Sequence, residues 1–270
     1  MVGDDSPAKV GIVRRVSKLL IAVLVAFGVF GAIGTFLVAE FLPGTIERIR
    51  GEPPVLFSLG FDEDFYGEGF TLVLPASKQV DANTFDGVDG CDSLREVGRQ
   101  AGAADYSTTY LELIAEGRTL KDVVIVGIQG KIVSREPRAN GALISCESAG
   151  ATDVIAFGLN LDEPEPVARF IEESGEFSEP RFGEDSAVTL TKGELIPFHV
   201  TARTMKSYVE WELEIEIIVD GKREEMVLDN DGEPFRTTAP LKRSSQYERR
   251  YEWAWYEPPG RLKISKPSGA

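Results

Sequence analysis

A run of 21 uncharged, apolar residues near the start of the chain constrains what it can fold into more than any other feature. The run extends from Leu19 to Ala39. A helix rises about 1.5 Å per residue, so a helix of this length covers a hydrocarbon core of roughly 30 Å. We therefore predict one transmembrane helix over residues 19–42, in contact with membrane lipid. Its best cleavage site has Leu37 where a signal peptidase needs a small residue, so we expect the helix to be retained.

The charged residues on either side of this run predict its orientation. Lys9, Arg14, Arg15 and Lys18 precede it, whereas only two arginines lie close on the far side. Cationic flanks favour the cytoplasmic side, so we expect a single-pass protein of the cell membrane with a cytoplasmic N-terminus. The predicted parts are a cytoplasmic leader (1–18), the helix (19–42), a juxtamembrane linker (43–54), an extracytoplasmic β-rich domain (55–240) and a basic aromatic C-terminal tail (241–270).

The charge of the chain excludes one class of partner. The chain has 29 basic and 44 acidic residues, a formal net charge of −15. Such a surface repels polyanions, so we expect no nucleic acid partner. The last 30 residues differ from the rest because they hold seven basic and three acidic residues. This difference is the basis for treating them as a separate tail.

Two cysteines, Cys91 and Cys146, give independent information about the compartment in which the domain lies. An even number without C-x-x-C spacing, in a domain expected outside the reducing cytosol, predicts one structural disulfide. Two buried thiols are the alternative. The chain-entropy model gives such a disulfide, with 55 residues of separation, a stabilisation of about 4 kcal/mol.

Alternating apolar and charged residues dominate the second half of the chain. From Val209 to Ile217 every second residue is apolar and the four between are glutamates, which predicts a half-buried strand. Asp220-Gly221 then predicts a tight hairpin turn, with Met226 to Leu228 in the return strand. A two-residue and a four-residue loop both remain open here.

Other short β-prone segments lie between polar turns. Residues 187–190 and 195–202 predict a second hairpin around a turn at 191–194, and residues 92–104 predict the one helix outside the membrane. Further strands are predicted at 55–59, 70–74, 108–114, 123–133, 142–146 and 154–161. This pattern predicts a mainly β fold, an exported β-sandwich of one domain or two, with a boundary at 174–183 or, as the alternative, at 162–166.

Two resemblances bear on the class of protein. The segment AVTLTKGELIPFHVTAR resembles the strand, turn and strand of bacterial immunoglobulin-like domains, which implies an immunoglobulin-like sandwich with an adhesive or spacing role. The segments KDVVIVGI, SYVEWELEIEIIVDGK and DGEPFRTT resemble a group of uncharacterised single-pass cell-surface proteins of high-GC bacteria. This second resemblance implies an anchored envelope protein and carries over no functional residue.

The residues available for catalysis are few. His199 is the single histidine, and its alternation with Phe198 and Val200 predicts a solvated strand residue rather than a base. No G-x-S-x-G or H-E-x-x-H motif occurs. Acidic turns at 81–92 and 229–233 only approximate calcium loops, and the first fails in register. We therefore expect no catalytic residue, cofactor or metal site.

Two clusters of residues are candidates for contacts. The aromatic residues Tyr247, Tyr251, Trp253, Trp255 and Tyr256 form a possible binding patch, with a packed final strand as the alternative. Small residues at helical spacing form a possible helix-dimer face: Gly28, Ala32, Thr35 and Ala39.

These features together predict a membrane-anchored, non-enzymatic protein of the cell envelope. We expect its exported domain to bind a protein or an envelope polymer. Two alternatives stay open: an envelope hydrolase or transferase that uses a carboxylate pair, and an accessory subunit of a membrane complex.

Overall fold

A computed structural model gives the structure of the chain. It describes residues 53–61, 69–78, 80, 83–146, 156–172, 175–184, 186–254 and 260–266. Residues 53–270 belong to one compact unit, and residues 1–52 to another. The boundary between the two units therefore falls after Glu52. It does not fall at 174–183, because the strand Phe177–Arg181 lies within the 53–270 unit.

The described residues contain sixteen strands and one α-helix. The helix, α1, spans Cys91–Gln100, within the predicted 92–104 apart from its first residue. The strands are β1 Val55–Phe61, β2 Thr71–Val73, β3 Ala104–Tyr106, β4 Thr108–Gly117, β5 Val123–Glu136, β6 Ala142–Cys146, β7 Ala156–Asn160, β8 Arg169–Ile171, β9 Phe177–Arg181, β10 Val188–Leu190, β11 Leu195–Arg203, β12 Tyr208–Val219, β13 Lys222–Leu228, β14 Phe235–Thr238, β15 Arg249–Ala254 and β16 Arg261–Ser265.

These strands form two sheets. The six-stranded sheet has the order β1-β4-β11-β7-β8-β9. The ten-stranded sheet has the order β10-β5-β12-β14-β3-β2-β6-β15-β16, with β13 also paired to β12. The main hydrophobic cluster takes side chains from both sheets, so the sheets pack face to face around a shared core.

The alternation in β12 builds that core, as predicted. Its apolar residues from Val209 to Ile217 are fully buried, and each is separated from the next by a glutamate. The two-residue turn Asp220-Gly221 has positive φ at both positions (55° and 73°) and joins β12 to β13. Met226 lies opposite Ile215, so the hairpin keeps apolar residues on the core side.

The predicted fold class is wrong in its membrane helix. In the ranges described above, no helix is long and apolar enough to cross a membrane. The ten residues of α1 extend only about 15 Å. The segment 19–42 lies outside the described residues, as does the leader 1–18.

The immunoglobulin-like part of the prediction is also wrong. Three strand pairs are parallel, namely β11 with β7, β14 with β3 and β15 with β6, whereas immunoglobulin-like sheets are antiparallel with seven to nine strands. Parallel neighbours need long crossover connections, which local alternation does not reveal.

The predicted hairpin between residues 187 and 202 does not form. Strand β10 pairs with β5 in one sheet and β11 with β4 in the other, so the turn at 191–194 carries the chain between the layers. This turn packs directly on Gly117, whose amide bonds to the Glu194 carbonyl at 3.0 Å. A Cβ on Gly117 would lie 2.1 Å from the Thr191 carbonyl oxygen.

The predicted C-terminal tail is part of the domain. Strands β15 and β16 extend the ten-stranded sheet, with β15 parallel to β6. Tyr251 and Trp253 of β15 pack with α1 and β6 in a second hydrophobic cluster. The difference in charge at residue 241 therefore marks no structural boundary.

Candidate binding surface at the edge of the six-stranded sheet

The structure places the single histidine inside the protein. His199 is 8% exposed because β11 lies between β4 and β7 in the six-stranded sheet. The prediction of a solvated histidine is therefore wrong. Alternation alone misjudged it because both faces of this central strand are covered over residues 198–202.

The glutamates of β12 are paired across the sheet. Glu210 accepts a hydrogen bond from Ser134 at 2.9 Å, and Glu212 accepts one from Lys131 at 2.9 Å. That bond and the charge of Glu212 raise the pKa of Lys131. Glu214 contacts Gln129, and Glu216 contacts Arg223. These carboxylates therefore form a row of hydrogen bonds and ion pairs on the outer face of the sheet. Within the described residues, no three His, Cys, Asp or Glu side chains are grouped to hold a metal.

The predicted aromatic patch is largely internal where the structure describes it. Tyr247, Tyr251 and Trp253 are 5%, 3% and 9% exposed, which leaves little of their surface to a ligand. Their burial fits the alternative of a packed final strand. Trp255 and Tyr256 lie outside the described residues, and so does the proposed helix-dimer face of Gly28, Ala32, Thr35 and Ala39.

The two cysteines lie at disulfide distance. Their Cα atoms are 5.8 Å apart, with Cys91 at the start of α1 and Cys146 at the end of β6. The pair therefore ties the helix to the ten-stranded sheet. The even cysteine count and the expected oxidising compartment predicted this pairing, although not the elements that it joins.

Among the described residues, the outer edge of β1 is the most distinctive exposed feature. β1 ends the six-stranded sheet, and among the described residues its one strand partner is β4. Its sequence, VLFSLGF, has seven residues and contains neither charge nor proline. Natural sheet edges are usually protected by such residues, so an uncharged edge of this length can accept another strand.

The register with β4 shows which backbone groups face outward. Arg118 donates its amide to the Pro54 carbonyl at 3.0 Å, which makes 54 and 118 a hydrogen-bonded pair. In an antiparallel ladder such pairs alternate, so Leu56, Ser58 and Gly60 direct their amide and carbonyl groups toward β4. The groups of Val55, Phe57, Leu59 and Phe61 therefore point away from the sheet.

The side chains of β1 follow the same alternation. Val55 is fully buried, whereas Phe57, Leu59 and Phe61 are half-buried against the main core. Leu56 on the outer face is 45% exposed. The core is thus incompletely covered along this edge, and an added strand with alternating apolar residues would extend it.

The other long edges carry charges. β9 contains Glu179, Pro180 and Arg181, β16 contains two basic residues, and β13 begins with Lys-Arg-Glu-Glu. β10 is only three residues long. Among the described strands, β1 is therefore the edge that lacks the usual protection against pairing.

A cleft of about 680 Å³ lies at the end of β1. Phe61 lines it, and the Arg99 guanidinium stacks over the Phe61 ring at 3.4 Å. Arg95 and Arg236 line the same cleft, as do acidic side chains including Glu233. Partial burial, followed by the charge of Arg99, lowers the pKa of Arg95. Because arginines and carboxylates are both present, the cleft is largely self-neutralised.

A buried relay of hydrogen bonds supports this cleft from below. Arg99 donates to Asp105 at 2.9 Å, and Thr109 donates to the same carboxylate at 2.7 Å. Thr109 and Thr237 are 2.7 Å apart, and the Trp211 indole donates to Thr237 at 2.9 Å. An indole can only donate and a carboxylate can only accept, so Thr237 must donate to Thr109. The relay joins α1 to both sheets and holds Arg99 in place.

Comparison with protein-family models and with curated proteins found no match for this chain. The candidate surface therefore rests on its own geometry. The pattern predicted β1 as a strand, but its place at the edge came only from the topology. The signal available in the sequence was the absence of charge over seven residues.

Proposed function

We propose that this chain is a non-enzymatic binding protein of the cell envelope, whose β-rich domain binds another protein by strand addition at β1. The observation that carries the proposal is the uncharged edge of seven residues, in which the partly exposed Phe57, Leu59 and Phe61 direct their backbone groups outward. Main-chain hydrogen bonds supply affinity in this binding mode, and alternate side chains supply specificity.

This geometry favours a protein over an envelope polymer as the ligand. A carbohydrate chain has no regular series of amide and carbonyl groups to match the edge. An extended peptide has them, and its inward side chains would pack beside Phe57, Leu59 and Phe61. We therefore expect the bound segment to be uncharged and to carry apolar residues at alternate positions.

The cysteine pair supports the proposed compartment. A disulfide persists in oxidising surroundings such as the exterior of a cell, and Cys91 and Cys146 are placed to form one. Acidic residues over the rest of the surface keep an exported domain soluble, because net charge opposes non-specific association.

The test uses the purified full chain and a phage library of random decapeptides. Peptides enriched on the wild type are synthesised, and their affinities are measured by fluorescence polarisation. We compare Leu59→Pro with Leu59→Ala, since both remove the leucine side chain but only proline removes an amide that faces outward. Leu59→Pro should bind at least about tenfold more weakly than Leu59→Ala, a difference of about 1.4 kcal/mol.

N-methylated peptides give a second measurement on the same probe. Methylation of alternate peptide amides should abolish binding, whereas methylation of the intervening amides should leave it nearly unchanged. Failure to enrich any peptide, or equal binding by the two Leu59 variants, would contradict strand addition.

A further inference from the structure

We infer that the strand that adds to β1 is β1 of a second copy of this chain, so that two six-stranded sheets join in an antiparallel dimer. This inference rests on the proposed function, because it names the partner of the same edge. The argument comes from the register, the side-chain faces and the charge of the strand.

The outward backbone groups of β1 are self-complementary. If Ser58 of one copy faces Ser58 of the other across a two-fold axis, the two β1 strands lie antiparallel with matching ends. Phe57 then lies opposite Leu59, and Val55 opposite Phe61. The amide and carbonyl groups of Phe57 and Leu59 face outward on partly exposed residues, so each of the two Phe57–Leu59 pairs can exchange two hydrogen bonds. Val55 is 0% exposed and adds no accessible backbone group to the contact.

The side-chain faces agree with the same register. Odd-numbered residues of β1 face the core, and the register pairs odd with odd residues. A two-fold axis perpendicular to the sheet keeps the inner faces of both copies on one side. The half-buried Phe57 and Leu59 of each copy would then cover each other at the joined edge.

Charge separates β1 from the other edges of the domain. The same symmetric pairing places Glu179 opposite Glu179 in β9, Glu225 opposite Glu225 in β13 and Lys263 opposite Lys263 in β16. Like charges directly opposite each other destabilise a strand pair. β1 has Ser58 at this position and no charge elsewhere. The chain has a net charge of −15, so two copies repel each other over most of their surface. At the uncharged β1 they can approach without facing like charges.

The size of the contact sets the expected affinity. Stable protein interfaces bury about 1,200–2,000 Å² in total, and a pair of strands of this length buries less than that. We therefore expect a reversible dimer with a dissociation constant in the micromolar range, which concentration-dependent measurements can resolve.

The test is sedimentation equilibrium of the full chain in a non-ionic detergent. The exposed Ser58 is replaced in two variants, Ser58→Lys and Ser58→Glu. Each variant alone should dissociate at least about tenfold more readily than the wild type, because like charges meet at the two-fold axis. An equimolar mixture of the two should restore the dimer. Thr189→Lys, at the exposed β10 edge, is the matched control and should dimerise like the wild type.

Cross-linking tests the register directly. In a non-hydrogen-bonded antiparallel pair the Cα atoms are about 4.5 Å apart, which a disulfide can span. Ser58→Cys should therefore form a covalent dimer on mild oxidation. Gly60→Cys lies opposite Leu56 and should not. Equal cross-linking of both variants would overturn the register.

Three outcomes separate this inference from the proposed function. If the wild-type chain is monomeric at a concentration 100 times its dissociation constant for the peptide, the inference is overturned and peptide binding at β1 is left intact. Absence of both dimer and peptide binding would overturn both. A dimer that is lost in Gly28→Ile but retained in Ser58→Lys would place the contact in the 19–39 run and overturn the inference.

Discussion

Replacing Thr237 by valine tests the buried relay, because valine has the same shape as threonine but cannot form hydrogen bonds. Thr237 is fully buried, accepts from the Trp211 indole at 2.9 Å and donates to Thr109 over 2.7 Å. Thr237→Val removes both bonds without opening a cavity. Trp211 is 0% exposed, so water cannot replace the acceptor that its indole N–H loses.

The expected loss follows from the groups left behind. An indole N–H that is buried without a partner costs about 1–3 kcal/mol. Thr109 keeps its own hydrogen bond to Asp105. It loses only the hydrogen bond that its oxygen accepted from Thr237, which costs about 1 kcal/mol. We therefore expect Thr237→Val to lower the free energy of unfolding by about 2–4 kcal/mol. Thr237→Ser keeps the hydroxyl and loses one methyl group, which costs about 1 kcal/mol.

Guanidinium unfolding measures both variants, with circular dichroism as the signal and the cysteine pair left oxidised. The order of stability of the two variants shows whether packing or hydrogen bonding dominates at this site. If packing dominated, Thr237→Val would be the more stable variant, since it keeps every heavy-atom contact. If Thr237→Val proves as stable as Thr237→Ser, with equal denaturant slopes, the hydroxyl is not a link in the relay. The double variant with Trp211→Phe should show a coupling energy of about 1 kcal/mol or more.

Three further predictions test other parts of the domain. Reduction of the Cys91–Cys146 disulfide should lower the free energy of unfolding by up to about 4 kcal/mol, because it removes a cross-link between residues 55 positions apart in the chain. If the two cysteines react with an alkylating reagent before any reductant is added, their thiols are free and no disulfide exists. Burial raises the pKa of Tyr208 to about 12, from about 10 in an unfolded chain, so its contribution is complete below pH 10 and is lost as the pH rises to about 12. Over this window the wild type should lose about 2–3 kcal/mol more than Tyr208→Phe in denaturation curves, and parallel curves would contradict the assignment. Gly117→Ala should lower stability by about 1–3 kcal/mol because its Cβ would meet backbone, whereas Gly60→Ala, with open space around it, should stay near the wild type in thermal melts.

The local elements were largely predictable from the sequence. The strand at 142–146 has the predicted bounds, and β12 with its Asp220-Gly221 turn follows the alternation and the preference of these residues for positive φ. Both signals arise from residues close together in the chain, so they act before the rest of the fold is known. The single described α-helix was predictable for the same reason.

The errors concern features that distant segments decide. His199 is buried because two neighbouring strands and their layer cover β11, and β15 belongs to a sheet because it lies parallel to β6. Neither relation leaves a periodic trace in the local sequence. The turn at 191–194 looked like a hairpin turn, but its strands belong to different sheets. A turn sets the direction of the chain and does not by itself select the strand's partner.

The sequence by itself determined that the domain is mainly β, that its two cysteines could pair and that the chain is strongly acidic. It also made β1 a strand without charge. Only the tertiary structure decided that β1 lies at an edge and that Val55, Phe57, Leu59 and Phe61 direct their backbone groups outward. The reason is that side-chain alternation depends on a two-residue period within one strand. An edge depends on which strands from elsewhere in the chain occupy the two sides.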